Sequence, residues 1–446
     1  ARALGRLGVA GQKALDAALE TLFAEPGATS EAALATARFG VLTAALDSLA
    51  LPLGKSAPLL ARLTELPDAT APAALRRVVA LRCRAAELLA GRGTLSPKLG
   101  ACDPDAEGRA GRFALLRVLD RGPLKGARLR RYHELLRSKD AAVRERALEL
   151  LGRHPETAGA PELIAEALAS KTPGEVATAA ELLAKHPDRA AALARSEPPA
   201  HDGGAPPTSL APAAAAPEPA VVRALTKALD GWATSHEVEV LAALADAAGA
   251  LELLGAKNRL EQSCKSAHPA LREHAERALA RLGQRDRRCD VFDPDYAPPA
   301  ELARRLAAPQ KLVFETDAGA LELELDPTFA PVAATRLAEL ARSGFFDGVA
   351  VHRVVPGFVV QLGDPGGDGY GGAKAPPLRC ETSPLPFESG SVGIALGGRD
   401  TGSSQFFVTL GRHPHLDGEY ALVGRAGAGW NRIAEGDVVR KVRASD

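Results

Sequence analysis

The chain has 446 residues, with 55 lysines and arginines against 55 aspartates and glutamates. That length exceeds one compact core, so two or three domains are expected. Zero net charge excludes a global electrostatic footprint for nucleic acid or an anionic membrane, and no apolar run approaches the length of a membrane span.

The chain contains no methionine, and Ala3-Leu4-Gly5-Arg6-Leu7-Gly8 reads like the end of a helix already under way. It nearly repeats Ala278-Leu279-Ala280-Arg281-Leu282-Gly283, which predicts a fragment whose native N-terminus and any targeting signal have been removed. The Ala/Arg/Gly/Pro bias is that of a GC-rich bacterial coding sequence. Residues 1–196 are Ala/Leu/Arg/Glu-rich with helical spacing, a helical repeat domain. Ser138-Lys139 recurs as Ser170-Lys171, Glu149-Leu150-Leu151 as Glu181-Leu182-Leu183, and His154-Pro155-Glu156 as His186-Pro187-Asp188, always 32 residues later. Repeats of this length mean stacked helix pairs. Val143-Arg144-Glu145-Arg146-Ala147 and Leu271-Arg272-Glu273-His274-Ala275 resemble the second-helix pattern of HEAT-type repeats. That resemblance implies an inward apolar residue and alanine, with the arginine along the groove between repeats. Pro155 and Pro187 end helices, and His154 and His186 just before them are C-terminal caps rather than metal ligands. Arg128, Arg130, Arg131 and Arg137 on one predicted helix read as a solvated face, with an acidic partner as the alternative.

Residues 197–220 are a Pro/Ala-rich linker. Helical repeats continue over 221–283, and 284–310 form a polar connector with a short helix at Pro299–Ala307. Of the five cysteines, Cys83 and Cys102 are close in sequence, as are Cys264 and Cys289. Two local disulfides and a lone Cys380 fit a protein exported to a bacterial cell envelope or periplasm. Five buried thiols fit a cytoplasmic one. The exported reading is the one adopted, with the cytoplasm as alternative. No Cys-x-x-Cys spacing suggests zinc.

Composition changes at residue 311. Eight of the twelve phenylalanines follow it, and β-branched residues replace alanine, as sheets prefer. A hairpin is predicted from Lys311–Thr316, a turn at Asp317-Ala318-Gly319 and a strand at Ala320–Leu325. A helix is predicted at Pro331–Arg342, with proline at its start and Gly344 after its end.

Val351-His352-Arg353-Val354-Val355-Pro356-Gly357-Phe358-Val359-Val360-Gln361-Leu362-Gly363-Asp364 then predicts strand, turn and strand. Strict alternation puts Phe358 with Val360 and Val359 with Gln361, so a bulge is needed to bring Phe358 and Gln361 to one pocket. An arginine in this apolar stretch needs partners for its donors. Its two readings are a structural ion pair and a functional cation. Gly402-Ser403-Ser404-Gln405-Phe406-Phe407-Val408 and His415-Leu416-Asp417-Gly418 follow.

These three blocks, in this order and near this spacing, resemble the cyclophilin-type peptidyl-prolyl isomerases over about residues 311–446. The resemblance implies an antiparallel β-barrel with two capping helices behind an N-terminal α-solenoid. It implies Arg353 as the catalytic donor to the prolyl nitrogen. Phe358, Val359, Phe407 and Leu416 match the proline pocket, and Gln361 matches the grip on the substrate carbonyl. Ala395, Leu396 and Gly397 match the strip along which the peptide backbone lies, and Gly369, Gly371 and Gly372 match a loop beside the next subsite. Leu396 departs from a common asparagine, His415 from a tryptophan, Tyr420 from a histidine and Leu362 from a glycine. His415 in place of tryptophan implies weak binding of cyclosporin.

No cofactor is expected. His352, His413 and His415 lack an acidic or cysteine ligand nearby, and no catalytic triad, phosphate loop or dinucleotide fingerprint stands out. The expected partners are proline-containing polypeptides, with a possible protein partner on the helical repeats. The expected function is isomerisation of X–Pro bonds that assists folding. A non-catalytic proline-peptide scaffold or a holdase chaperone is the alternative.

Overall fold

The computed structural model describes residues 8–24, 30, 37–49, 56–91, 93–100, 102–103, 108–154, 157–185, 219–235, 237–266, 268–289 and 306–445. Residues 3–7, the His186-Pro187-Asp188 motif, the linker at 197–218 and the connector at 290–305 with most of its short helix lie outside them. The chain divides into two compact units, Ala1–His154 with Ala297–Asp446, and Pro155–Tyr296.

The first unit begins with helices α1 (Gly8–Ala24), α2 (Ala37–Asp47), α3 (Ala57–Thr64), α4 (Pro72–Ala90), the short α5 (Pro97–Gly100), α6 (Arg109–Leu119), α7 (Ala127–Leu136) and α8 (Ala141–Arg153). Proline opens α4 where no amide donor is needed, and Gly91 ends it at φ 61°. Leu19, Phe39, Leu46, Leu60 and Leu81 form one core over α1–α4, and Val79, Ala86, Leu99, Ala114 and Val118 form another over α4–α6. Asp140 caps α8 by accepting from the Ala142 amide at 3.0 Å. The arginine patch is not one solvated face. Arg128 turns inward to the carbonyls of Val118 at 3.0 Å and Gly122 at 3.3 Å, closing the end of α6, while exposed Arg131 pairs with Glu134 at 2.7 Å. The reason is the orphan carbonyls at a helix end, which a long cation satisfies. Cys83 and Cys102 are bonded here, their Cα atoms 4.7 Å apart.

The second unit contains α9 (Ala160–Leu168), α10 (Pro173–Lys185), α11 (Ala220–Gly231), α12 (Val238–Ala250), α13 (Lys257–Ser263) and α14 (Pro269–Arg281). Helix α12 packs between α10 and α14, and α9 packs on α11. The α12–α14 contact is close because residue 249 is glycine: a Cβ there would stand 2.7 Å from the Ala278 Cα. Cys264 and Cys289 are bonded. Helices α8, α10, α12 and α14 each span 13 residues. The same turn precedes all four: the hydroxyl of Ser138, Ser170, Ser235 or Ser266 accepts the amide two residues on, at 3.0–3.1 Å. Arg144 and Arg272 each donate back to the carbonyl of that serine at 2.7 Å.

The first unit resumes with strands β1 (Gln310–Thr316) and β2 (Gly319–Leu325), helix α15 (Pro331–Arg342), then β3 (Arg353–Val355), β4 (Val359–Leu362), β5 (Ser391–Ile394), β6 (Phe406–Thr409), β7 (Leu422–Ala426) and β8 (Val439–Ser445). They make one antiparallel sheet in the order β3-β4-β6-β5-β7-β2-β1-β8. Residues 348–351, just before β3, bond to 436–439, just before and into β8, which curls the sheet round its core. In β2, Leu321, Leu323 and Leu325 point inward and Glu322 and Glu324 outward, as a period of two requires. Phe314, Phe346, Phe406 and Trp430 meet edge-on or tilted at 5.7–6.1 Å in the interior. The Glu381 carboxylate caps α15 by accepting from Val332 and Ala333 at 3.1 and 2.8 Å. Where the second capping helix was expected, the described residues of the barrel have only 3₁₀ turns, Pro414–Leu416 and Trp430–Arg432.

Within this unit α4 is clamped to the barrel. Buried Arg77 donates to Asp437 at 2.8 Å and to the Arg432 carbonyl at 2.7 and 2.9 Å. Arg76 donates to Asp437 at 3.1 Å and to Asp317. The Asp437 carbonyl accepts the amide of Val351, two residues before Arg353.

Candidate active site

The site is built on the β3–β4 hairpin. Arg353 stands directly opposite Gln361 in the register and donates to its amide oxygen at 3.1 Å. Val360 and Leu362 enter the barrel core, so Val359 and Gln361 face outward together. Phe358 lies in the turn before β4 rather than in the strand, so the alternation rule does not govern it. It reaches the same side as Val359 with no bulge in the β3–β4 pairing. This corrects the expectation from strict alternation.

Among the described residues Arg353 has no carboxylate within ion-pair distance; its guanidinium lies 5.9 Å from the Phe358 ring centre. Burial and the nearby Arg146 cation lower its pKa, while Tyr420 and Glu435 act the other way. Gln361 in turn donates to the Gln405 amide oxygen at 2.9 Å, and Gln405 donates to the carbonyls of Gly369 and Gly371, both at 2.8 Å. Arginine can only donate and a carbonyl can only accept, so the relay orients both amides without ambiguity. Gly363 must be glycine: φ is 100° and a Cβ would stand 2.3 Å from the Ser404 carbonyl oxygen. Buried Asp364 gathers the glycine loop, accepting from Gly366, Asp368 and Gly369 at 2.7–2.8 Å. His352 points into the protein, and burial pushes its pKa down to about 4, against the pull of Asp364. It is neutral at pH 7.

Beside this relay is an apolar cluster. Val359, Phe387, Phe407, Leu416 and Leu422 are its buried members, with Phe358, Ala395 and Tyr420 half-buried against them. Phe407 stacks on Phe387 at 5.7 Å and meets Tyr420 edge-on at 5.4 Å. The His413 and His415 rings sit 4.7 and 5.5 Å from Phe358. The Ala395 amide bonds to the Gln405 carbonyl at 3.0 Å. Leu396 packs toward the barrel core instead of this cluster, and the Gly397 amide is taken by Thr401 at 2.9 Å.

The structure thus gathers Arg353, Phe358, Val359, Gln361, Ala395, Phe407, His415, Leu416 and Tyr420 in one place, with Gly369 tied to it through Gln405. Sequence reasoning did not assign Phe387, Leu422, Asp364 or Gln405. Gln405 had a signal, as the one amide in the Gly402–Val408 block. Phe387 and Leu422 had none, because their neighbours in the cluster come from distant strands.

The site thus sets an apolar cluster, an arginine and an amide side by side. The family profile described as "Cyclophilin type peptidyl-prolyl cis-trans isomerase/CLD" matches residues 311–442. Peptidyl-prolyl cis-trans isomerase B of Bacillus subtilis (strain 168) is 40% identical over 132 residues, 28% of this chain and 92% of its own length. The peptidyl-prolyl cis-trans isomerase of Helicobacter pylori (strain J99 / ATCC 700824) is 38% identical over 144 residues, 31% of this chain and 88% of its own. The crystal structure of a cyclophilin type peptidyl-prolyl cis-trans isomerase from Cryptosporidium parvum superimposes with a TM-score of 0.28 and 26% identity, over 31% of this chain and 98% of that one. The chain belongs to the cyclophilin-type peptidyl-prolyl cis-trans isomerases, through its C-terminal barrel.

Proposed function

We propose that this isomerase acts on X–Pro bonds of protein substrates and assists their folding, with the helical repeats as a protein-binding module. The amide barrier of about 18–20 kcal/mol comes from conjugation of the nitrogen lone pair. A donor that meets the lone pair as the bond twists stabilises the transition state over both planar states. Arg353 is suited to this role. The single observation that carries the reading is its guanidinium, which among the described residues pairs with no carboxylate and is steadied by Gln361 beside the apolar cluster of Val359, Phe407 and Leu416. Gln361 keeps outward donor and acceptor capacity for a substrate backbone, and Phe407 and Leu416 give the proline ring apolar contact.

The test is exchange spectroscopy of an X–Pro peptide with the full chain. Faster cis–trans exchange is expected; rates identical with and without protein favour a non-catalytic scaffold. The HEAT-like reading of the helices is supported by four helices of one length behind one recurring serine turn. Residence in an oxidising compartment such as the bacterial envelope is supported by the two bonded cysteine pairs. Thiol titration with mass mapping of protein from its native compartment tests it, and five free thiols return it to the cytoplasm.

A further inference from the structure

Helices α6 and α8 of the first unit carry two arginines toward the isomerase site. Arg109 of α6 holds Asp140 with two nitrogens, at 2.6 and 3.0 Å, while its Nη1 is shielded and unbonded. Its Nη2 lies 3.8 Å from where a Cβ on Gly367 of the glycine loop would stand. Phe113, on the next turn of α6, lines a cavity of about 520 Å³ with Ala350 and Glu435 of the barrel. Arg146 of α8 lies over the Phe113 ring, its guanidinium carbon 4.2 Å from the centroid.

Among the described residues Arg146 has no hydrogen bond and no carboxylate within ion-pair distance. Its charge is felt at Arg353 and at Glu435. Glu435 is an acid close to both Arg146 and Arg353; its Oε1 is shielded without a hydrogen-bond partner among the described residues, and burial raises its pKa. Arg109 is balanced by Asp140, but Arg146 and Arg353, without an ion pair among the described residues, leave this side of the site positive. Stacking on Phe113 holds the Arg146 fork in one orientation at low entropy cost and leaves its in-plane donors open. A planar, pre-oriented fork of that kind matches a carboxylate or a phosphate.

We propose that α6 and α8 form a wall of the substrate groove, and that Arg146 recognises an acidic side chain, carboxylate or phosphate, within three residues of the isomerised proline. This rests on the isomerase reading above. Arg109 contributes to the same field while steadying the wall through Asp140, whose side chain also caps α8.

The experiment uses the full chain and X–Pro peptides in which one residue, three positions either side of the proline, is in turn Glu, Gln, Lys or phosphoserine. kcat/KM is measured by exchange spectroscopy at low and high salt. At one position Glu or phosphoserine is expected to exceed Lys by roughly tenfold, the scale of one charge-assisted hydrogen bond. The preference shrinks at high salt. A phosphoserine rate well above that of Glu identifies phosphate as the group read; a rate equal to or below it identifies carboxylate. The Arg146→Ala variant brings the Glu:Lys ratio close to one, Arg146→Lys retains part of it, and Glu435→Gln widens it. A ratio under about twofold at every position, or one that survives Arg146→Ala, overturns the proposal while turnover of the Gln peptides keeps the isomerase reading. No turnover of any peptide overturns both.

Discussion

Arg77 and Arg353 are the same residue type in one compact unit, put to opposite uses. Arg77 is 2% exposed, and its donors end on a carboxylate and two carbonyls. Arg353 reaches solvent, and among the described residues its one hydrogen-bonded partner is a neutral amide. A guanidinium fully consumed by buried acceptors is structural, because nothing is left for a ligand to displace. One held by a single amide beside an apolar cluster keeps its donors for a transient partner. The seam and the site also touch: Asp437, which neutralises Arg77, bonds through its carbonyl to Val351.

The contrast is broken most directly at the seam. Arg77→Ala leaves Asp437 buried with only Arg76 as a charge partner, at an expected cost of about 3–5 kcal/mol in urea unfolding. A double variant, Arg77→Met with Asp437→Leu, is expected to regain most of that. Next, Arg353→Ala is expected to lower kcat/KM on the order of 10²–10³ while leaving the unfolding midpoint unchanged, checked by exchange spectroscopy and circular dichroism. A variant that keeps turnover but loses stability would make Arg353 a second Arg77.

His352, between the two, provides a pH measurement. Its folded-state pKa of about 4 lies below the ordinary value of 6.5, because the buried ring resists charging. Between those values the unfolded chain binds the extra proton, so stability falls as pH drops through the window, by about 3 kcal/mol in full. His352→Gln is expected to show a shallower loss of urea stability from pH 6.5 to 4 than the unmodified chain. The smallest effect is at the relay: Gln405→Leu strands the Gln361 amide and is expected to lower kcat/KM by roughly tenfold or less.

Much of the barrel was legible. The β1–β2 hairpin and α15 follow from alternation, a glycine at the turn and a proline at the helix start. The residues of the three sequence blocks converge because each block is local to a strand or its turn. Phe358 was misjudged, since alternation was applied to a residue that belongs to a turn. The inward course of Arg128 was missed because periodicity cannot show which carbonyls a folded neighbour leaves open.

By itself the sequence determined a helical region followed by a β-rich one, the hairpin that carries Arg353, and the three blocks that resemble the cyclophilin family. These depend on spacings of a few residues, which local backbone geometry converts directly into structure. Only the tertiary structure decided that Gln405 links Gln361 to the glycine loop, that Phe387 and Leu422 join the apolar cluster of Val359, Phe407 and Leu416, and that α4 is clamped to Asp437. It also set Arg146 of α8 over Phe113 and within the electrostatic reach of Arg353. Arg77 and Asp437 are 360 residues apart in the chain, and no local rule couples such partners. Their pairing follows from burial, which forces each charge to find the other once the helices and the barrel share a core.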